Sequence, residues 1–477
     1  MGKHGKGSES SLETATEKKY RTMTEEPVDK LIWKLAVPTI IAMMVTAAYN
    51  MADTFFVGQI GTEATAGVGL ILPVMTIIQA LGFFFGQGSG NFIARALGAK
   101  DQEHAEKMAS TGGVSAALAG ILFAALGFVF RGGLLTVLGA REGLVDQRTI
   151  DYARDYLIFI LCGAPFMCLS CVLNNQLRFQ GNAVFAMIGL VSGAVLNCVL
   201  DPLFIFAFKL EVTGAALATA ISQAVSCAVL YIGTLKSDNL KIRLRNFTPN
   251  LYYYKNICVG GFPSLCRQAL SSVATLCLNS AAGTAVAPEL AEEAIAAFSI
   301  VSKLMLLAVS AILGFGQGFQ PMCGFNYGAK RYDRVWAGYM YCVKIGALIL
   351  LILSALGYAF APQLVAVFRD DADVIAFGTI ALRAQCLSFT LLAFVTVTNM
   401  MYQSMGRVWG ASLLAAARQG LMFIPAVLIL PRLFSESIWG VYLAQPAADL
   451  FAFAIAVPMA VKVYREFKAV DFGKKLI

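Results

Sequence analysis

Residues 86–100 read GQGSGNFIARALGAK, and residues 316–330 read GQGFQPMCGFNYGAK. Six of these fifteen positions are identical at a constant offset of 230, where chance gives about one. Further pairs keep nearly the same offset. Pro38 and Pro263, Asn174 and Asn399, and Gly181 and Gly406 lie 225 apart, and Gly214 and Gly440 lie 226 apart. The chain reads as two tandem copies of one unit.

Composition says what kind of unit. Of 477 residues, 58% are apolar and 14% charged, with a mean hydropathy of +0.69. Soluble domains run near 45–50% apolar and about 25% charged, so a soluble fold, a disordered chain and a disulfide-stapled secreted module are all excluded. Polar or Gly-rich breaks such as Gly58–Glu63, Gly98–His104 and Lys236–Lys255 leave twelve apolar stretches. They run roughly over 33–57, 66–94, 110–130, 154–177, 184–208, 212–235, 256–282, 293–323, 336–359, 374–402, 409–431 and 438–461. Each is long enough to span a bilayer, and spans of this kind are helical because every backbone group must be satisfied within its own segment.

Six spans per copy is an even number, so both copies enter the membrane the same way. The expected fold is an all-α polytopic membrane protein, two six-helix bundles related by a pseudo-two-fold axis along the membrane normal. The expected divisions are a disordered cytosolic tail over 1–30, bundles over 31–235 and 256–462, a basic cytosolic linker over 236–255, and a second tail over 463–477. Lys and Arg outside the spans divide 25 to 7 in favour of the side holding both termini, Arg178 counted among the 25. That excess places both termini in the cytoplasm of a bacterial cytoplasmic membrane. The net charge of +8 reflects this loop bias rather than a nucleic-acid partner. Nothing resembling a signal peptide precedes span 1.

The eleven cysteines lack metal-type spacing, and the two histidines, His4 and His104, fall in polar segments. Neither a zinc site nor a His-based catalytic apparatus is expected. Gly86-Gln-Gly-Ser-Gly90 interrupts an apolar span rather than following a strand, so it reads as close helix packing and not as a phosphate loop.

Carboxylates inside spans are the strongest functional signal, because each costs on the order of 2.5–3.5 kcal/mol to insert. Three stand out: Asp53 in span 1, Asp201 in span 5 and Asp449 in span 12. Asp53 lies 19 residues above Lys34, about 28 Å along a helix. Asp201 lies 19 residues above Asn182, at the same level. Asn197 sits one turn below Asp201, Asn50 and Tyr49 flank Asp53, and Thr219 and Tyr156 approach the same depth. Such a group suits Na⁺, through Asp53, Asn197, Asp201 and Thr219, or a proton. Asp449 lacks an acidic neighbour, though Gln445 is one turn away. Arg267, Lys303 and Arg383 lie in or near the later spans. They are candidates to pair with Asp449 or to make the second bundle positive, which would push a cationic substrate toward the first.

In order and spacing, Leu35-Ala-Val-Pro38, Asn50-Met-Ala-Asp53-Thr-Phe-Phe-Val-Gly58, Gly86-Gln-Gly88, Leu177-Arg-Phe-Gln-Gly-Asn182 and Asp201-Pro202 closely resemble the multidrug and toxic compound extrusion (MATE) transporters, most of all their bacterial drug-efflux branch. The resemblance runs from about Asp29 to Lys462. It implies a V-shaped pair of six-helix bundles that exports amphipathic, mostly cationic compounds against H⁺ or Na⁺ by alternating access, with no other cofactor. By position it assigns cation coupling to Asp53, Tyr156, Asn197, Asp201 and Thr219. Where some relatives carry acidic residues in helices 7 and 10, this chain has Arg267 and Gln268, and Arg383 and Gln385. A cation site in the second bundle is therefore not expected. Candidate lining for the substrate cavity is Asn174, Met187, Gln268, Asn399 and Met400, with Phe166, Met167, Met305 and Met401 as further adaptable side chains. The expected partners are the lipid bilayer, small amphipathic cations and the coupling ion, with the protein a monomer. A lipid-linked precursor flippase of the same superfamily is the alternative, and a membrane-embedded enzyme or a channel ranks below it.

Overall fold

The computed structural model describes residues 16–474, apart from 142–144, 237–239, 241 and 435–436. Every regular element among them is helical. A first helix, α1, covers 16–25. The first half then holds α2 (Val28–Gly58), α3 (Thr62–Gly98), α4 (Gln102–Val129), the short α5 (Arg131–Val137), α6 (Gln147–Phe179), α7 (Ala183–Pro202) and α8 (Glu211–Lys236). The second half holds α9 (Leu251–Thr284), α10 (Ala291–Gly328), α11 (Tyr332–Ala359), the short α12 (Ala361–Ala366), α13 (Ala372–Phe389), α14 (Leu391–Ser404), α15 (Val408–Ala416), α16 (Phe423–Leu433) and α17 (Ser437–Lys474).

Eleven helical segments among the described residues are long and apolar enough to cross a membrane. α9 supplies the twelfth crossing: it is long enough but less apolar, because it carries Lys255, Asn256, Arg267 and Gln268. Span 10 is built from α13 and α14, which meet at Thr390. Span 11 is built from α15 and α16, joined by a wide π turn over Ala417–Met422. Large apolar side chains such as Leu118, Leu122 and Val129 project outward, as expected of a surface that meets lipid.

The repeat is visible in fine detail. Gly181 and Gly406 both take left-handed φ, at 79° and 77°, and Lys100 and Lys330 do so at 61° and 57°. Each follows the end of a span, where the chain reverses.

The first and last described residues lie on one side, here the terminal side. There a single apolar core runs through both bundles, joining Leu31–Ala36 of α2 and Phe92–Leu97 of α3 to Ile257 of α9 and Phe315–Phe325 of α10. On the far side the bundles keep separate cores, one around Val57, Ile71 and Tyr156 and one around Phe298, Leu382 and Tyr442. The molecule is thus sealed at its terminal side and open at its far side. Glycines make the seal. A side-chain carbon on Gly88 would run into the Ile257 backbone of α9, and one on Gly318 into Ala36 of α2. The two halves of the repeated Gly-Gln-Gly motif therefore perform the same task on opposite sides of the pseudo-axis.

Three expected boundaries change. The stretch expected as a disordered tail contains α1, which lies across the seam. Glu17 pairs with Lys100 at 3.2 Å and Lys19 bonds Asn182, both in the first bundle. Asn326 of α10 donates to the Met23 carbonyl at 3.0 Å and Arg334 of α11 to the Glu26 carbonyl at 2.6 Å, both in the second. Residues 1–15 lie outside the described residues. The second tail is mostly helix, since α17 continues to Lys474 and Phe467 stacks on Tyr332 with ring centroids 4.9 Å apart. In the linker, α9 already starts at Leu251, and Leu240 is buried.

Overpacking a tight contact costs about 1–3 kcal/mol. Gly88→Val and Gly318→Val should therefore each part the terminal side, lowering the far-side-open population at least about fivefold. Spin-label distances between the terminal-side ends of α4 and α11 would lengthen accordingly, and unchanged distances would remove the glycines from this role.

Candidate functional site

Asn197 and Asp201 sit one turn apart on α7, and both are buried. Asn197 Nδ2 donates to Asp201 Oδ1 at 3.3 Å and to Thr219 Oγ1 of α8 at 3.4 Å. Tyr156 of α6 is fully buried, with its hydroxyl near Thr219 and 3.7 Å from Met75 Sδ. Asp53 approaches from α2, within electrostatic reach of Asp201, as is Tyr49. The five residues assigned by sequence thus converge, and Tyr49 joins them.

Their oxygens are short of donors. Asp53 Oδ1, Asn197 Oδ1 and Asp201 Oδ2 are all buried without a hydrogen-bond partner. Leaving one such acceptor unmet costs about 1–3 kcal/mol, and more for a charged one. Three unmet acceptors beside two hydroxyls make a place where a proton or a small cation is stabilised. A cavity of about 70 Å³ reaches this group, lined by Tyr49, Gln79, Ser170, Asn197, Thr219 and Gln223, among others.

On its other face, α2 lines a different space. Asn50, Met51, Thr54 and Phe55 face Lys303, Leu306 and Leu307 of α10 across a cleft of about 600 Å³ between the bundles. One helix therefore walls off the acidic cluster from the central cleft and touches both.

Among the described residues the second bundle has no equivalent cluster. Asp449 accepts from Arg418 Nε at 2.7 Å, from Gln445 at 3.0 Å and, through Oδ2, from Ser388 at 3.0 Å. It is a neutralised, fully bonded carboxylate beside a cavity of about 350 Å³ that Lys303, Gln385, Arg418 and Gln445 help to line.

The MatE family profile matches residues 38–203 and 269–428, one block in each copy of the repeat and more than half of the chain. The chain belongs to the MatE family. Multidrug export protein MepA of Staphylococcus aureus is 27% identical over 435 residues, covering 90% of this chain and 94% of that protein. The protein of the same name from Staphylococcus saprophyticus is 28% identical over 436 residues, covering 90% and 93%. Among solved structures, an outward-facing conformation of a multidrug resistance MATE family transporter superposes with a TM-score of 0.87 at 28% identity, covering 94% of this chain and 98% of that one. A superfamily transporter from Pyrococcus furiosus, described by the reverse polarity of its binding pocket, superposes with a TM-score of 0.86 at 28% identity, covering 95% and 98%.

Within this MatE chain several expected lining residues have other tasks. Asn174 Nδ2 donates to the Ala186 carbonyl at 2.9 Å, and Asn399 Nδ2 donates to the Ala411 carbonyl at 2.6 Å. Donors and acceptors are each 225 apart, so the two asparagines are one staple used twice, fastening consecutive spans. Met400 packs against Gly316 and Met401 is buried. Met187 lines none of the three cavities described, and Phe166 is exposed. Gln268 does bridge the bundles, donating to Gln79 Oε1 at 3.2 Å. Met167 lines the small cavity and Met305 the one beside Asp449. The partner of Asp449 is Arg418, not Arg267, Lys303 or Arg383. Arg383 sits away from the cleft, donating to the Tyr358 carbonyl at 3.2 Å with its guanidinium over the Tyr358 ring. Arg178, counted as a loop cation, is buried on the last turn of α6.

Two outcomes follow for stability. Asn174→Ala and Asn399→Ala should each cost about 1–3 kcal/mol, read as a lower melting temperature in detergent, with the substrate KM of the folded fraction unchanged. Arg418→Met strands a buried carboxylate and should cost about 3–5 kcal/mol, while Arg418→Met combined with Asp449→Leu should recover most of that loss in the same melting assay.

Proposed function

We propose that this chain is a cation-coupled multidrug efflux transporter, a secondary carrier rather than an enzyme. It works by alternating access in a bacterial cytoplasmic membrane, as a monomer with both termini in the cytoplasm. The observation that carries the coupling is the double duty of α2, with Tyr49 and Asp53 toward the acidic cluster and Asn50, Met51, Thr54 and Phe55 toward the central cleft.

In the far-side-open state, H⁺ or Na⁺ from outside enters the group of Asp53, Asn197, Asp201, Thr219 and Tyr156. Charge neutralisation there removes the repulsion between Asp53 and Asp201 and draws α2 toward α7. Because the same helix walls the cleft, that shift alters the surface on which an amphipathic cation rests and weakens its hold. The emptied carrier then parts its terminal side and releases the ion inward. The names of the MepA relatives support drugs as the cargo. A lipid-linked precursor flippase is a second reading, favoured by the buried cation Arg178 near the seam between the bundles.

The test is Asp201→Asn in liposomes loaded with a fluorescent cationic dye, with a pH gradient and a Na⁺ gradient imposed separately. Gradient-driven dye movement should fall at least about tenfold in the mutant, the effect expected when a residue central to coupling loses its charge. Which gradient drives the unmutated protein identifies the ion. Full-rate movement in Asp201→Asn would overturn the assignment.

A further inference from the structure

Gln79 of α3 lines the small cavity that reaches Asn197 and Thr219, and its side chain also leaves the first bundle. Gln268 Nε2, on α9 of the second bundle, donates to Gln79 Oε1 at 3.2 Å. Both residues are half-buried, and among the described residues neither side chain makes another hydrogen bond. Arg95 also crosses the seam, to the Ser404 carbonyl at 2.8 Å, as does Arg178 to Gln317, but none of these residues lines the cavity.

The glutamine pair marks the point where the seam forks. α3 and α9 run antiparallel, so their contacts step along the two helices in opposite senses. A side-chain carbon on Gly88 would meet Ile257, one on Gly261 would meet the Phe84 backbone, and Gln268 meets Gln79 about 10 Å farther along α9. Phe84 and Ile257 belong to the shared core, whereas Ile78 belongs to the first bundle's own core and Ala274 to the second's. The bridge therefore lies where one core becomes two. Gln79 precedes Gly98, the last residue of α3, by 19 residues, the height at which Asp53 and Asp201 stand above their own span starts.

An amide oxygen turned into the cavity serves either coupling ion. It is a ligand for Na⁺ and an acceptor for the hydroxyl of a protonated carboxyl. The cavity has room for only a few waters, so the Gln79 amide meets an ion there directly or through water. The same oxygen is the one that Gln268 holds.

We propose that Gln79 is a positioning residue for coupling, its one amide oxygen contested between the ion cavity and Gln268 of the other bundle. This rests on reading the acidic cluster as the coupling-ion site. With the oxygen on Gln268, the fork is fastened. As the ion loads, the oxygen turns inward, the bridge opens, and the bundles are free to roll past each other at the height of the ion. Linkage is reciprocal, so an ion that loosens the bridge is itself held back by the bridge.

That reciprocity supplies the test. The full chain in phosphatidylcholine nanodiscs carries spin labels on the terminal-side ends of α4 and α11, introduced as a non-canonical amino acid so that the native cysteines stay. The inter-label distance is followed against pH without Na⁺, and against Na⁺ at fixed pH, with no substrate present. Gln268→Leu frees the Gln79 oxygen, so the ion should act at an about three- to tenfold lower concentration, the worth of one hydrogen bond. For a proton the midpoint moves up in pH. Gln79→Leu removes the oxygen from both uses, so it should not lower the midpoint concentration, and adding Gln268→Leu to it should change nothing further. A bridge that only fastened the bundles would shift the midpoint equally whichever partner was lost. That result would overturn the proposal, as would an unshifted midpoint in Gln268→Leu. Gln268→Met and Gln79→Met, unbranched chains of similar length, should give the same readings and replace a Leu variant that fails to fold. A distance that answers neither pH nor Na⁺ in the unmutated chain would instead sink the coupling reading itself, and this proposal with it.

Discussion

Backbone lies against backbone where Gly88 meets α9 and Gly318 meets α2, and the working state of the molecule depends on that contact. Lipid offers no hydrophobic drive to hold two helical bundles together, so close packing of small residues must do so. Because these contacts sit only on the terminal side, the bundles share one core there and keep two cores beyond it. The open cleft is a consequence of where the glycines are. α1 and the residue after it reinforce the same arrangement, bonding to Lys100 and Asn182 on one side and to Asn326 and Arg334 on the other.

The bilayer also decides which polar groups are structural and which are left for function. Asn174 and Asn399 spend their amide hydrogens on the carbonyls of neighbouring spans. Asp449 is fully bonded by Arg418, Gln445 and Ser388. Among the groups left unmet are the oxygens of Asp53, Asn197 and Asp201 and the Nε of Arg178. The oxygens lack donors and the Arg178 nitrogen lacks an acceptor.

Much of this was legible in the residues. The 230-residue offset fixed the two-bundle plan, and hydropathy located the twelve crossings. The spacing of Asn197 and Asp201 placed them on one face of a helix, and counting from the span starts put Asp53 at the same height. Other features depend on information that spacing does not carry. Asn174 and Asn399 are candidates for the cavity lining by sequence, but a residue kept by both copies serves what both copies share, their packing. Arg178 follows an apolar run and counts as a loop cation, yet it lies on the last helical turn and its side chain is buried at the seam. Arg418 meets Asp449 beside a π turn that periodicity does not announce. The polar composition of 16–25 suggests no structure, because its order comes from docking on residues more than seventy positions away.

The staple and the glycine contacts recur in both halves, whereas the charged groups within the spans do not. Leu278 and Ala426 stand where an offset of 225 from Asp53 and Asp201 falls, and Gly193 stands where the same offset from Arg418 falls. A gene doubling that preserved the hinge while letting each half's ionisable side chains drift separates mechanics from selectivity. The electrostatic character of either half can then be rewritten, by few substitutions, without disturbing the machinery that makes the two halves rock.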